Sequence, residues 1–340
     1  MIERATSERG AVLTERQRYG EDTLLRLFPG SSLLRLLWSL FLFLLILLPA
    51  EVSQAAKKDM VFGQGVLWKV EREGTFPSYV FGTMHVNDRR VLDLPEPVYD
   101  AFLKARSASF EILLDDQTES EIAGNFIFSN GQTLDGVIGP DLYADVLDVL
   151  EPYGITLHQA RFIRPWGMIF LLERTPESFR SGSTDSQASE DPFLDKRLYR
   201  EAVRLNKKVY ALESVKEQVD VFDGLSTKQL KKLIRGLVEM NQKPPEVAHL
   251  QQKSMLEMYL DRDIAGILHY AESQQELDPA LAQVVVGRML DRRNHTMVIR
   301  MQPRLEEGNA FIAIGAGHLP GDEGVLNLLY QQGYKVTRVY

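Results

Sequence analysis

Two short apolar runs near opposite ends of the chain, 78–81 (SYVF) and 310–314 (AFIAI), each pass directly into a Gly-x-x-His turn: Gly82-Thr83-Met84-His85 and Gly315-Ala316-Gly317-His318. β-type residues ended by a glycine mark the carboxyl end of a strand, where ligands usually bind when strands alternate with helices. The glycine lets the chain turn sharply there and aim an imidazole into a crevice. With 24 glycines and six histidines in 340 residues, chance alone gives roughly 0.4 such matches, so one occurrence would be weak evidence. Three occur. The third, Gly266-Ile267-Leu268-His269, sits in a helical pattern with no strand before it and reads as a partly buried helix histidine. Strand context singles out the other two, which suit either metal binding or acid/base work; two turn histidines that only bond nearby backbone are the plainer alternative.

The rest of the chain supplies the elements that would bring these turns together. Runs 65–72 and 78–81, separated by the turn from Gly74 to Pro77, have the pattern of a hairpin. Residues 95–105 are spaced as a helix, and 107–114 read as a buried strand containing Glu111. From about 119 to 179 the pattern turns helical, with Leu142, Val146, Leu147, Val149 and Leu150 on one face and Pro152 and Gly154 as breakers, so this stretch is expected to be a helical insertion. Pro165-Trp166 marks a helix break with an aromatic anchor. The run 180–191 is polar and nearly free of apolar residues, the composition of a loop. A helix over 193–205, a strand over 208–212 ending at Glu213, and helices from 225 to about 269 broken at Pro244-Pro245 follow. A helix over 284–301 precedes the final strand, turn, helix (321–332) and strand (335–340). Strands interleaved with helices predict an α+β fold in which the strand groups near 65–114, 208–213 and 310–340 share one mixed sheet. The order Gly-x-x-His then Glu111, against Glu213 then Gly-x-x-His, hints at internal symmetry.

The N-terminal region points to export. Residues 36–48 are almost purely apolar, follow Arg35, and are shorter than the roughly 20 residues of a spanning helix, which is the form of a signal-peptide core. Pro49 breaks the helix, and Ser53-Gln54-Ala55 offers small residues for cleavage after Ala55, leaving 56–340 as the mature domain in the periplasm or outside the cell. The polar stretch before Arg35 is long for a signal and suggests a translation start nearer Leu33. An uncleaved membrane anchor is the alternative; after cleavage no stable membrane insertion is expected. The first 55 residues carry six acids and six arginines, so the formal charge of −8 belongs entirely to the remainder. That acidity argues against nucleic acid as the main partner. With no cysteine, structural disulfides, thiolate metal sites and a cysteine nucleophile are excluded.

Four further residues join the candidate chemistry. Glu111, between Phe110 and Ile112, is costly in a buried strand unless paired, hydrogen-bonded or metal-bound, although alternation equally allows it to face solvent. Glu213 closes its strand in the same manner and is held as a second-tier ligand. Arg293 and Asn294, on the helix before the last histidine, offer a guanidinium and an amide for an oxyanion, or merely a solvated helix face. His158, His249 and His295 lack strand context and read as structural.

At these residues the chain resembles the TraB/PrgY/GumN family, which includes the Tiki metalloproteases. The match runs through Tyr79 to Val86, Phe110-Glu111, Leu212-Glu213-Ser214 with Gln218, Arg293-Asn294, and Ile314 to Gly324, and spans about 63–340. What the resemblance implies is an erythromycin-esterase/ChaN-like fold. His85 and His318 then become metal ligands or catalytic histidines, Glu111 their acidic partner and Arg293 a stabilising cation. The departure lies near Asp195, where Leu194 stands in place of the usual small residue and 180–191 looks inserted. The expectation that follows is metal-assisted hydrolysis of a peptide or protein substrate, with His85, His318 and a carboxylate such as Glu213 holding manganese, cobalt or zinc (Mn, Co or Zn). A metal-free esterase-like hydrolase, and a non-catalytic peptide-binding or polysaccharide-export accessory protein, are the rivals.

Overall fold

The computed structural model describes residues 60–174, 176, 193–273 and 279–340. The signal core at 36–48, the cleavage position after Ala55 and the polar run 180–191 lie outside them. The strand groups do share one sheet: β1 (Leu67–Glu71), β2 (Ser78–Thr83), β3 (Ser107–Phe110), β4 (Lys208–Ala211), β5 (Ala310–Gly315) and β6 (Lys335–Arg338) pair in the order β4-β3-β5-β2-β1-β6. The central pairs β3–β4, β3–β5 and β2–β5 are parallel, whereas β1 is antiparallel to both β2 and β6. The result is a mixed sheet in a largely helical α/β chain. The expected hairpin is β1–β2.

This topology puts the two histidine turns side by side. In the β2–β5 pair Gly82 lies opposite Ile314 and Thr83 opposite Gly315, so both strands end at the same edge. β3 and β4 run the same way, delivering Glu111 and Glu213 to that edge one residue and two residues past their strands. β3 is shorter than the sequence pattern suggests and stops at Phe110; Glu111 is therefore a strand-end residue, not one inside a strand. Asp115 then accepts from the Thr118 N–H and opens the helix Asp116–Phe126, which ends any continuation of the strand.

Two apolar clusters support the edge. One packs around the sheet, with Phe81, Phe102, Phe311 and Ile312 at its centre. β5 is buried along its whole length, as expected of an interior parallel strand covered on both faces. The other cluster joins helices of the 116–172 region, including Pro140–Leu150 and the wholly buried Pro165–Leu172, to Val215–Asp223 and Thr227–Asn241. Trp166 is fully buried there and stacks edge-on with Phe126 and Phe170. Proline at the first turn of its helix needs no backbone donor. Among the described residues no helix is long and apolar enough to cross a membrane.

Candidate functional site

Gly82 is required by close approach rather than by a sharp turn, since its φ is not positive. A Cβ there would stand 2.7 Å from Leu319 Cδ1 and 3.0 Å from Ala316 Cα. The first motif's glycine thus allows the second motif's backbone to lie against it. Gly317 is different: a Cβ there would meet only Leu290 Cδ2, at 3.9 Å. The Gly82 carbonyl accepts from Tyr259 on the helix Pro245–Leu260 at 2.9 Å, fastening the first turn from the helical side.

His318 is buried, and its Nδ1 lies 2.6 Å from Asn294 Oδ1. An amide oxygen only accepts, so Nδ1 carries the proton and Nε2 keeps its lone pair. Asn294 is itself oriented by donating from Nδ2 to the Glu323 carbonyl at 2.8 Å. His318 Nε2 faces Glu111 Oε1 at 3.8 Å. Burial and the nearby Arg293 guanidinium outweigh Glu111 and push the imidazole pKa down to about 3, so the ring is neutral.

Glu111 is held at both oxygens. Oε1 accepts from the Gly315 N–H at 2.7 Å, which ties it to the second histidine turn, and Oε2 accepts from Arg293 at 2.6 Å. Burial raises its pKa, but Arg293, the two histidines and the Gly315 N–H more than reverse this and hold it at about 2. Arg293 also grips Glu213, through Nε at 3.0 Å to each oxygen and through its terminal nitrogen at 2.7 Å. Gln218 bridges the two carboxylates at 3.4 and 3.3 Å. Arg293 follows a π-helical turn, Gly287–Asp291, and donates back to the Met289 carbonyl within it. Such wide turns are frequent at functional sites.

His85 stacks against Phe193 with ring centroids 5.0 Å apart. Its Nε2 lies 3.3 Å from Asp195 Oδ2, and Asp195 Oδ1 accepts from Thr83 Oγ1 at 2.8 Å. Burial raises the Asp195 pKa, opposed by His85 and Thr83. Asp195 was absent from the sequence-derived set, yet a signal was present. With Leu198 and Ala202 it forms an i, i+3, i+7 stripe, so an acid sits on the apolar face of the helix Leu194–Arg204.

Of the six residues singled out from sequence, five are buried together as two hydrogen-bonded groups, Glu111 and Glu213 on Arg293 and His318 on Asn294, with His318 Nε2 3.8 Å from Glu111 Oε1. His85 stands beside them with Asp195. The remaining histidines lie elsewhere: His269 is on the helix Ile264–Ser273, His158 packs on Phe162, and His295 meets Glu323 at the surface. His249 falls on the helix Pro245–Leu260.

Imidazole and carboxylate are donor types that a divalent cation takes, and the buried Asp195 Oδ2 has no hydrogen-bond partner, but two of the three carboxylates, Glu111 and Glu213, are held by Arg293. Among the described residues, no three His, Asp or Glu side chains are grouped closely enough to enclose an ion. The donors stand as two pairs, His85 with Asp195 and His318 with Glu111.

Fold and site together define an α/β protein with a buried imidazole–carboxylate centre at the carboxyl ends of parallel strands. The TraB/PrgY/gumN family model matches residues 66–338, and the chain belongs to that family. It is 29% identical to "Metalloprotease TIKI2" of Danio rerio, over 83% of this chain and 61% of that protein. It is 27% identical to "Metalloprotease TIKI1" of Homo sapiens, over 79% and 61%, and 23% identical to "Metalloprotease TIKI homolog" of Amphimedon queenslandica, over 86% and 65%. The chain thus spans about three-fifths of the length of these relatives. No solved structure matches it significantly.

Proposed function

We propose that this chain is an exported, metal-dependent hydrolase of peptide bonds, in which His85, His318 and Glu111 hold a divalent manganese, cobalt or zinc ion. The observation that carries the proposal is the convergence of both Gly-x-x-His turns with a doubly held carboxylate at one sheet edge. The metalloprotease names of the relatives support it.

Held by these residues, a divalent ion would supply a lowered water pKa and polarisation of the scissile carbonyl. His318 contributes the Nε2 lone pair, its tautomer set by Asn294. Glu111 serves as ligand and charge partner: Arg293 and the Gly315 N–H occupy its oxygens, and an acid so readily ionised is a poor general base. Glu213, proposed from sequence as a ligand, instead anchors Arg293, and Arg293 and Asn294 act as positioning residues in place of oxyanion donors. The tight buried cluster keeps these groups preorganised. The proposal includes removal of a signal at Ala55 and an erythromycin-esterase/ChaN-like fold.

Chelation of the purified protein tests it. Activity on a peptide library is expected to vanish on chelation and return with Mn, Co or Zn, and His85→Ala and His318→Ala are expected to lie at background. Hydrolysis that persists through chelation points to the metal-free rival, in which the His85–Asp195 pair supplies the base. If both folded variants keep the full biological action, the protein is a binding or export accessory and the enzyme proposal is abandoned.

A further inference from the structure

We propose that Gln251 binds the peptide substrate, its side-chain amide pairing with the N–H and C=O of one peptide unit a few residues from the bond that is cut. This inference rests on the peptide-hydrolase function proposed above and adds to it a subsite away from the imidazole–carboxylate centre.

The two apolar clusters meet at the centre. Phe110 belongs to the sheet cluster and Ile112 to the helical one, with Glu111 between them. Leu212 and Val215 change over in the same way around Glu213, and Leu290 and Met297 around Arg293 and Asn294. The buried polar residues at these crossings are thus the ones that build the site. The helix Pro245–Leu260 makes a further crossing. Val247, Gln251, Met255 and Tyr259 recur at every fourth position and form one ridge along it. Val247 packs on the helical cluster, and Met255 and Tyr259 belong to the sheet cluster, which leaves Gln251 at the seam. The ridge ends at the centre, where Tyr259 donates to the carbonyl of Gly82 in the first histidine turn.

Gln251 is 4% exposed, and neither its Nε2 nor its Oε1 has a hydrogen-bond partner. An amide so buried is costly, since donor and acceptor both lose water without a replacement. A peptide unit offers the complementary acceptor and donor in one plane. Among the described residues, the side-chain ties of this helix to other elements lie in its C-terminal part, Glu257 to Arg90 at 3.1 Å and Tyr259 to Gly82. Its N-terminal part, which Val247 holds by apolar contact, can therefore open to admit an extended chain. Gln251 precedes Tyr259 by eight positions, roughly 12 Å of helix axis, a length that an extended peptide covers in about three or four residues. A water enclosed beside Gln251 is the competing account, and in it the residue is structural only.

Steady-state cleavage of one fluorescence-quenched peptide that the parent cuts, compared between the parent and Gln251→Met, separates these accounts. Methionine keeps the length of the side chain and removes both polar groups. KM is expected to rise about tenfold or more with kcat within about twofold, as when binding common to substrate and transition state is lost, while Tm does not fall. Replacing each amide of the peptide in turn by an ester removes one N–H. One such ester, about three or four residues from the cut, is expected to raise KM for the parent and not for the variant. If KM for Gln251→Met rises less than about threefold, or if every ester acts equally on both proteins, the enclosed-water account holds and this inference is overturned, while peptide hydrolysis by the parent stands. A parent that cuts no peptide overturns both. Near-UV circular dichroism checks the fold. Should Gln251→Met not fold, Gln251→Asn, which withdraws the amide by one methylene, takes its place, with a parent-like KM overturning the inference.

Discussion

Replacing Arg293 with methionine keeps the length of the side chain and removes the one positive charge between Glu111 and Glu213, all three being buried. Breaking a buried pair by removing one partner costs about 3–5 kcal/mol. The Glu111 pKa agrees in sign: against burial, Arg293 is the foremost of the groups that hold it down, at about 2. Because the folded pKa is depressed, this contribution is present above pH 4.5 and is lost as pH falls through about 2. Between pH 5 and 7.5 it is therefore constant in the parent. In Arg293→Met burial acts on two adjacent carboxylates with no cation to oppose it, so their pKa values move above the ordinary range. The variant then loses stability as pH rises. The expected result is a loss of about 3–5 kcal/mol at pH 7.5, or roughly 6–20 °C in Tm, shrinking toward pH 5. Urea and thermal unfolding of parent and variant across that pH range provide the assay. A loss below about 1 kcal/mol, or an equal loss at pH 5 and 7.5, refutes the claim that Arg293 neutralises the two carboxylates.

Gly82→Ala is expected to destabilise by about 1–3 kcal/mol, because its Cβ meets the Ala316 backbone and the Leu319 side chain, whereas Gly317→Ala, with open space before Leu290, is expected to cost under about 1 kcal/mol. Unfolding curves for the two proteins compare them directly. Asn294→Ala leaves the His318 Nδ1–H without its acceptor and is expected to cost about 1–3 kcal/mol and to mix the ring tautomers, visible in imidazole ¹⁵N shifts. Glu173 is buried with neither oxygen hydrogen-bonded, and burial raises its pKa well above 4.5. A raised folded pKa means stability falls as pH rises past 4.5, so Glu173→Gln is expected to exceed the parent by about 1–3 kcal/mol at pH 7.5, with the advantage vanishing near pH 4.5. A parent-like pH profile in that variant would show that Glu173 is already paired.

Local pattern determined which residues turn at the end of each strand, and most of the helices, because periodicity and glycine or proline breaks are properties of neighbouring residues. The strand over 208–211, the hairpin and the helix Leu194–Arg204 follow from it. So does the placing of His85 and His318 just past their strands, since each follows an apolar run that reaches a glycine. Glu111 and Glu213 were visible as charges at the ends of apolar runs, but what would neutralise them was not. That depended on the parallel pairing of β3 with both β4 and β5 and on the π-helical turn that brings Arg293 between the two acids. Tertiary structure alone also decided that Gly82 is needed for contact between the two motifs, and that Asn294 faces His318. Asp195 shows the boundary between the two kinds of information. Its place on an apolar stripe is written in the sequence, but its position opposite His85 arises only when a helix and a strand more than a hundred residues apart pack together, with Thr83 and Asp195 separated by 112 positions.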